Sequence, residues 1–138
     1  MIMKINKVIE TCIYSSDLKS MKKFYVDILG LLPIGEEMNK LIFLKAGKSM
    51  LLIFNPSITL IDNNELPTHG TIGPPSSIHL ALEIKEQDYQ GWKQLLVKNN
   101  ISIEKEVNWE SNAKSVYFRD PVGNLVELMT PGGWPVES

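Results

Sequence analysis

Glu10, His79 and Glu127 are the residues of this chain best placed to do chemistry, because each interrupts an apolar run. Glu10 lies in Val8-Ile9-Glu10-Thr11-Cys12-Ile13, His79 in Ile78-His79-Leu80-Ala81-Leu82, and Glu127 in Leu125-Val126-Glu127-Leu128-Met129. In a strand, the neighbours of a residue in sequence point to the opposite face. One reading is that all three face water on half-buried sheets. Their companions support another, since Cys12 and Tyr14 share the face of Glu10, and Leu125 and Met129 share that of Glu127. A carboxylate on a largely enclosed face is costly unless a cation or a proton accompanies it.

The surrounding elements must position these groups. Val8 to Tyr14 is rich in β-branched and apolar residues and predicts a strand. Ser15-Ser16-Asp17 offers capping oxygens for a helix whose apolar residues run from Leu18 to Leu29 at helical spacing, and Gly30 ends it. Strands are predicted at Lys40–Lys45 and Ser49–Asn55, joined by a turn at Ala46-Gly47-Lys48 and ended by Pro56. The second half repeats the order. A strand at Ile78–Ile84 leads through Glu86-Gln87-Asp88 to a helix from Tyr89 to Val97, ended by Asn99-Asn100. Strands follow at Ile101–Val107, Ser115–Arg119 and Leu125–Thr130, with Asp120-Pro121-Val122-Gly123-Asn124 as the last turn.

The fold class is therefore α+β, built from one strand–helix–strands module used twice. The expected organisation is a single domain: module one over about 5–56, a linker over 57–77, module two over about 78–131, then a short tail. Superimposing the first strands sets Glu10 on His79, and superimposing Pro56 on Pro131 sets Leu52 on Glu127. Three of four equivalent positions thus carry possible ligands, and the fourth is leucine.

Composition narrows the function. The 138 residues are 43% hydrophobic and 22% charged, as in ordinary globular domains. Sixteen acidic and fourteen basic residues leave a net charge of −2, which gives no footprint for nucleic acid. Cys12 is the one cysteine, so no intrachain disulfide forms, and a reducing compartment is expected. No apolar run approaches the roughly 20 residues that span a bilayer, and the first residues lack the apolar core of a signal peptide. A cytoplasmic protein without membrane partners is expected.

Glu10 seven residues before Asp17, then Phe24-Tyr25, Leu29-Gly30-Leu31, His79-Leu80-Ala81-Leu82, and above all Phe118-Arg119-Asp120-Pro121-Val122-Gly123-Asn124-Leu125-Val126-Glu127-Leu128, occur in this order and spacing. The chain in this respect resembles the vicinal oxygen chelate superfamily, over about residues 5 to 131. That superfamily includes glyoxalase I, fosfomycin-resistance enzymes, extradiol dioxygenases, methylmalonyl-CoA epimerase and bleomycin-binding proteins.

The resemblance implies two βαβββ modules forming a cupped mixed β-sheet with helices outside. It also implies one divalent transition metal ion (Zn, Ni, Co, Mn or Fe) on Glu10, His79 and Glu127. Leu52 falls at a fourth ligand position and cannot ligate, which leaves coordination sites open for water or substrate. The implied activity is metal-dependent lyase or isomerase chemistry on a small molecule with vicinal oxygens. Glu10 or Glu127 would double as general base.

An extradiol-type dioxygenase and a non-catalytic binding protein of the bleomycin-resistance type are the alternatives. The leucine and the scarcity of arginine weigh against glyoxalase I itself, and one histidine with two carboxylates weighs against the extradiol site. Tyr14, Cys12, Tyr117, Arg119 and His69 are the expected substrate-binding residues. Each has a plainer reading: packing for the tyrosines, an unactivated thiol for Cys12, a partner for Asp120 in the case of Arg119, and loop exposure for His69. The resemblance further implies a homodimer.

Overall fold

The computed structural model describes residues 3, 5, 7–60 and 78–136. The chain divides into two compact units, Met1–Ile72 and Gly73–Ser138, each described by itself below.

In the first unit β1 (Glu10–Tyr14) is followed by α1 (Leu18–Lys22), which runs on as a π-helical turn over Lys23–Ile28. Then come β2 (Leu32–Glu37), β3 (Leu41–Ala46), β4 (Ser49–Phe54) and the one-turn helix α2 (Pro56–Thr59). The sheet order is β1-β4-β3-β2, with β1 parallel to β4 and the other pairs antiparallel. In the second unit β5 (His79–Glu83) leads through a 3₁₀ turn (Glu86–Asp88) into α3 (Tyr89–Lys98). It continues with β6 (Lys105–Asn108), β7 (Lys114–Arg119) and β8 (Leu125–Met129). Its sheet order is β5-β8-β7-β6, again with the first and last strands parallel. The two units are therefore two copies of one βαβββ module.

The first helix starts where expected, because the Asp17 carboxylate accepts the Ser20 amide at 3.1 Å. Its second half widens to π geometry, with the Leu29 amide donating to the Phe24 carbonyl at 3.0 Å. The wider turn keeps every fourth residue on one side. Met21, Tyr25 and Leu29 are accordingly all buried.

The structure departs from the predicted elements in several places. β2 has no counterpart among the predicted strands, because Pro33 and Gly35 are strand breakers. It is an edge strand, wholly exposed and with a register shift between those two residues, where a missing amide costs no ladder bond. β1 begins at Glu10 rather than Val8, since β4 opens only at Ser49 and offers Val8 no partner. β6 spans only Lys105–Asn108, because the Ile101 amide closes the helix end by donating to Leu96 O at 2.9 Å.

Alternation gives each sheet two faces. In the first unit Ile13, Ile42, Leu44, Leu51 and Ile53 form the buried helix side. The opposite face gathers Leu41, Leu52 and Phe54, with Cys12, Tyr14, Phe43 and Met50 packed against them. In the second unit Val116, Phe118, Val126 and Leu128 are buried on one face. The other face carries His79, Glu127, Ser115, Tyr117 and Arg119.

Candidate metal centre

β5 and β8 lie side by side and parallel, with His79 opposite Leu125 and Ala81 opposite Glu127. That stagger lets the histidine reach along the sheet to the carboxylate. His79 Nε2 stands 3.3 Å from Glu127 Oε1, and Nδ1 is 3.0 Å from the Leu125 carbonyl oxygen. A carbonyl oxygen only accepts, so Nδ1 carries the proton in that bond. In the neutral ring Nε2 then points a lone pair at a carboxylate oxygen. Two acceptors so placed call for a proton or a cation between them. A metal-binding histidine usually has this arrangement, one nitrogen held by a carbonyl and the other on the ion. Glu127 is only 4% exposed, whereas the His79 side chain is about half exposed, so the pair opens to solvent on the histidine side. An imidazole nitrogen beside a carboxylate oxygen is a donor set that fits a divalent transition ion.

Further groups hold the carboxylate. Ser115 on β7 is fully buried, and its hydroxyl donates to Glu127 Oε2 at 2.5 Å. The same Oγ accepts the indole N–H of Trp109 at 2.9 Å. Tyr117 is the cross-strand partner of Glu127, and its ring stacks on His79 with centroids 6.3 Å apart. Burial raises the Tyr117 pKa, and its hydrogen bond to the Glu127 carboxylate and that group's charge add to the rise. The phenol stays protonated and can serve as a donor.

Beside this cluster lies a cavity of about 350 Å³ lined by Trp109, Tyr117, Arg119, Glu104 and Leu125, among others. Arg119 Nε donates to Glu104 at 3.0 Å and Nη1 to the Gly123 carbonyl at 3.1 Å. Asp120, its expected partner, is engaged inside the turn, where Oδ1 accepts the amides of Val122 and Asn124. Arg119 thus ties the turn to Glu104 and also faces the cavity.

The remaining predicted residues lie in the first unit or outside the described residues. Glu10 is the exposed first residue of β1, and its Oε2 receives the Cys12 thiol at 3.5 Å. Burial, then the bond to Glu10 and its charge, pushes the Cys12 pKa up to about 11, which removes it as a nucleophile near neutral pH. Tyr14 packs on Phe54 with ring centroids 6.1 Å apart. Leu52 pairs with Cys12 on β1 and Phe43 on β3, as Glu127 pairs with Ala81 and Tyr117, so the equivalence of Leu52 and Glu127 holds in the strand register. His69 lies outside the described residues. Among the described residues His79 and Glu127 are brought together, and no three His, Cys, Asp or Glu side chains form a group.

Neither Ser115 nor Trp109 is among the site residues that the sequence predicts. Ser115 did carry a signal, since it shares a strand face with Tyr117 and Arg119.

A repeated βαβββ module with a histidine and a buried carboxylate on adjacent parallel strands defines a class of protein. The chain belongs to the Glyoxalase/Bleomycin resistance protein/Dioxygenase superfamily, whose model matches residues 4–128. It is 32% identical over 129 residues to a metallothiol transferase FosB of Staphylococcus epidermidis, covering 93% of this chain and 84% of that protein. The FosB of Staphylococcus saprophyticus is 31% identical over 131 residues, covering 94% and 78% respectively. The crystal structure of lactoylglutathione lyase from Agrobacterium tumefaciens is similar with a TM-score of 0.85 and 31% identity, over 96% of this chain and 98% of that one. No helix among the described residues is long and apolar enough to cross a membrane.

Proposed function

We propose that the chain is a metal-dependent enzyme of this superfamily, acting on a small substrate with vicinal oxygens by lyase or isomerase chemistry. The observation that carries the reading is His79 Nε2 facing Glu127 Oε1 at 3.3 Å while Nδ1 is engaged by Leu125 O. His79 and Glu127 would be two ligands and Glu10 the third, supplied by this chain or by a second copy in a homodimer. A divalent ion there would polarise a substrate oxygen and stabilise the negative charge that grows on it.

The chain's own groups supply the rest. The Tyr117 hydroxyl holds a proton at the edge of the cavity, next to the ligand carboxylate. Arg119 on the cavity wall would bind an anionic substituent in exchange for its bond to Glu104. Glu10 is the better general base of the two carboxylates, because Glu127 is fixed by His79 and Ser115 while Glu10 is exposed. A cytoplasmic location belongs to the same proposal and is supported by the free thiol of Cys12.

Thiol transfer to an oxygenated electrophile is a second reading, supported by the likeness to staphylococcal metallothiol transferases. Metal analysis of the protein purified without a tag tests the first premise, with Glu127→Gln as comparison. A panel of 2-oxoaldehydes, catechols, acyl-CoA esters, and epoxides with and without thiol then separates the reactions. The proposal fails if the protein neither carries nor takes up a transition ion and Glu127→Gln behaves as the parent.

A further inference from the structure

We propose that Ser115 and Trp109 are positioning residues that hold Oε2 of Glu127, leaving Oε1 as the single oxygen presented to a metal ion alongside His79 Nε2. The inference rests on the metal-site reading above and concerns how the carboxylate binds.

Hydrogen-bond chemistry fixes the direction of the chain. An indole N–H can only donate, and an ionised carboxylate can only accept. The Ser115 oxygen must therefore accept from Trp109 at 2.9 Å, and its one proton goes to Glu127 Oε2 at 2.5 Å. The other oxygen, Oε1, faces His79. Each oxygen position thus has its own task, and turning the carboxylate out of this plane would break the serine bond. Ser115 is fully buried and Glu127 is 4% exposed, so water does not replace that bond cheaply.

The first module shows that the sheet does not need this polar pair in order to fold. By strand register Leu41 opposite Phe54 corresponds to Ser115 opposite Met129, as Leu52 corresponds to Glu127. Leu41 and Leu52 sit together in one apolar cluster. Both members of the dyad are therefore polar only in the copy that also carries the histidine. Trp109 lies just beyond β6, with its amide donating to the Ala113 carbonyl at 2.9 Å, so the turn before β7 delivers the indole to the serine.

The test compares Ser115→Ala, Trp109→Phe and Glu127→Gln with the parent. Mn²⁺ affinity is read by equilibrium dialysis, and the ligand field by the visible absorption of the Co²⁺-loaded protein. Ser115→Ala is expected to weaken Mn²⁺ binding by about tenfold or more, in the range typical of lost outer partners. Its Co²⁺ bands should also shift, because the released carboxylate can bind through both oxygens. Trp109→Phe should show a smaller loss in the same direction, and its tryptophan emission should no longer respond to added metal although Trp92 and Trp134 remain. Parent-like affinity and spectrum in both variants, with binding lost in Glu127→Gln, would overturn the positioning role and leave the metal site standing. Parent-like binding in Glu127→Gln would overturn both. Should Ser115→Ala fail to fold, Trp109→Phe alters a partly exposed residue and carries the test alone.

Discussion

Glu127 on β8 and Leu52 on β4 hold the same place in two copies of one sheet. Each lies opposite the third residue of its module's first strand, Ala81 or Cys12, and across from an aromatic ring, Tyr117 or Phe43. One copy uses the place for apolar packing and the other for a buried carboxylate. The sheet therefore accepts either residue at this place.

Glu127→Leu removes the acceptor of the Ser115 proton and strands a fully buried hydroxyl, at a cost of about 1–3 kcal/mol. Adding Ser115→Ala should restore part of that stability, because the buried hydroxyl is then gone, although the Trp109 indole N–H loses its acceptor. Urea denaturation of the two single variants and the double variant measures the coupling directly. Simple additivity would show that the two side chains do not act as a pair.

Cys12 should be a poor nucleophile in the folded protein. Burial comes first among the causes that lift its pKa to about 11, ahead of the bond to Glu10 and its charge. Folding favours the protonated thiol, so the stabilisation is complete below the ordinary value of 9.0 and is lost as pH rises through about 11. Alkylation at pH 8 should be slow when native and fast in denaturant. Equal rates in the two conditions would contradict the assignment.

Tyr89→Phe should lower stability by about 1 kcal/mol. The phenol is nearly buried and donates to Glu106 at 2.9 Å, and its pKa is pushed up to about 12 by burial and then by that bond and the Glu106 charge. Lys93 reaches the same carboxylate at 2.8 Å, and its bond comes first among the causes that lower the Glu106 pKa, followed by the Tyr89 bond. The Glu106 contribution is present above the ordinary carboxylate pKa and falls away as pH drops through the lowered value. Thermal melts of parent and variant at pH 7 and pH 3 should differ more at pH 7.

Asp120→Ala should be among the most destabilising single changes, by about 2–3 kcal/mol. Asp120 Oδ1 accepts the Val122 and Asn124 amides, and Oδ2 accepts the side-chain amide of the fully buried Asn124. Asp120→Asn keeps one acceptor oxygen and should cost less. Urea midpoints of the two variants order the effects, and a smaller loss for alanine than for asparagine would count against this account.

Much of the module was legible in the sequence, and the exceptions have physical causes. The strands bearing His79 and Glu127 follow from alternating apolar residues, and the turn between Arg119 and Leu125 from Asp, Pro, Gly and Asn together. β2 was hidden because an edge strand tolerates Pro33 and Gly35, which deny a central one. The π turn after α1 was hidden because the apolar spacing there suits an α-helix as well. Ser115 was passed over because the strand face it shares with Tyr117 and Arg119 does not reveal its partner, twelve residues away.

The sequence by itself determined the repeat, the faces of the strands and the candidates Glu10, His79 and Glu127, because side-chain alternation and turn chemistry are local properties. Tertiary structure alone decided which atoms meet. The parallel register of β5 with β8 aims His79 Nε2 at Glu127 Oε1, and the antiparallel register of β7 with β8 brings the β7 face that carries Ser115 to the other oxygen. The turn over 120–124 fixes the β7–β8 register locally. The β5–β8 register instead comes from pairing between segments far apart in the chain, which the sequence of neither strand alone gives.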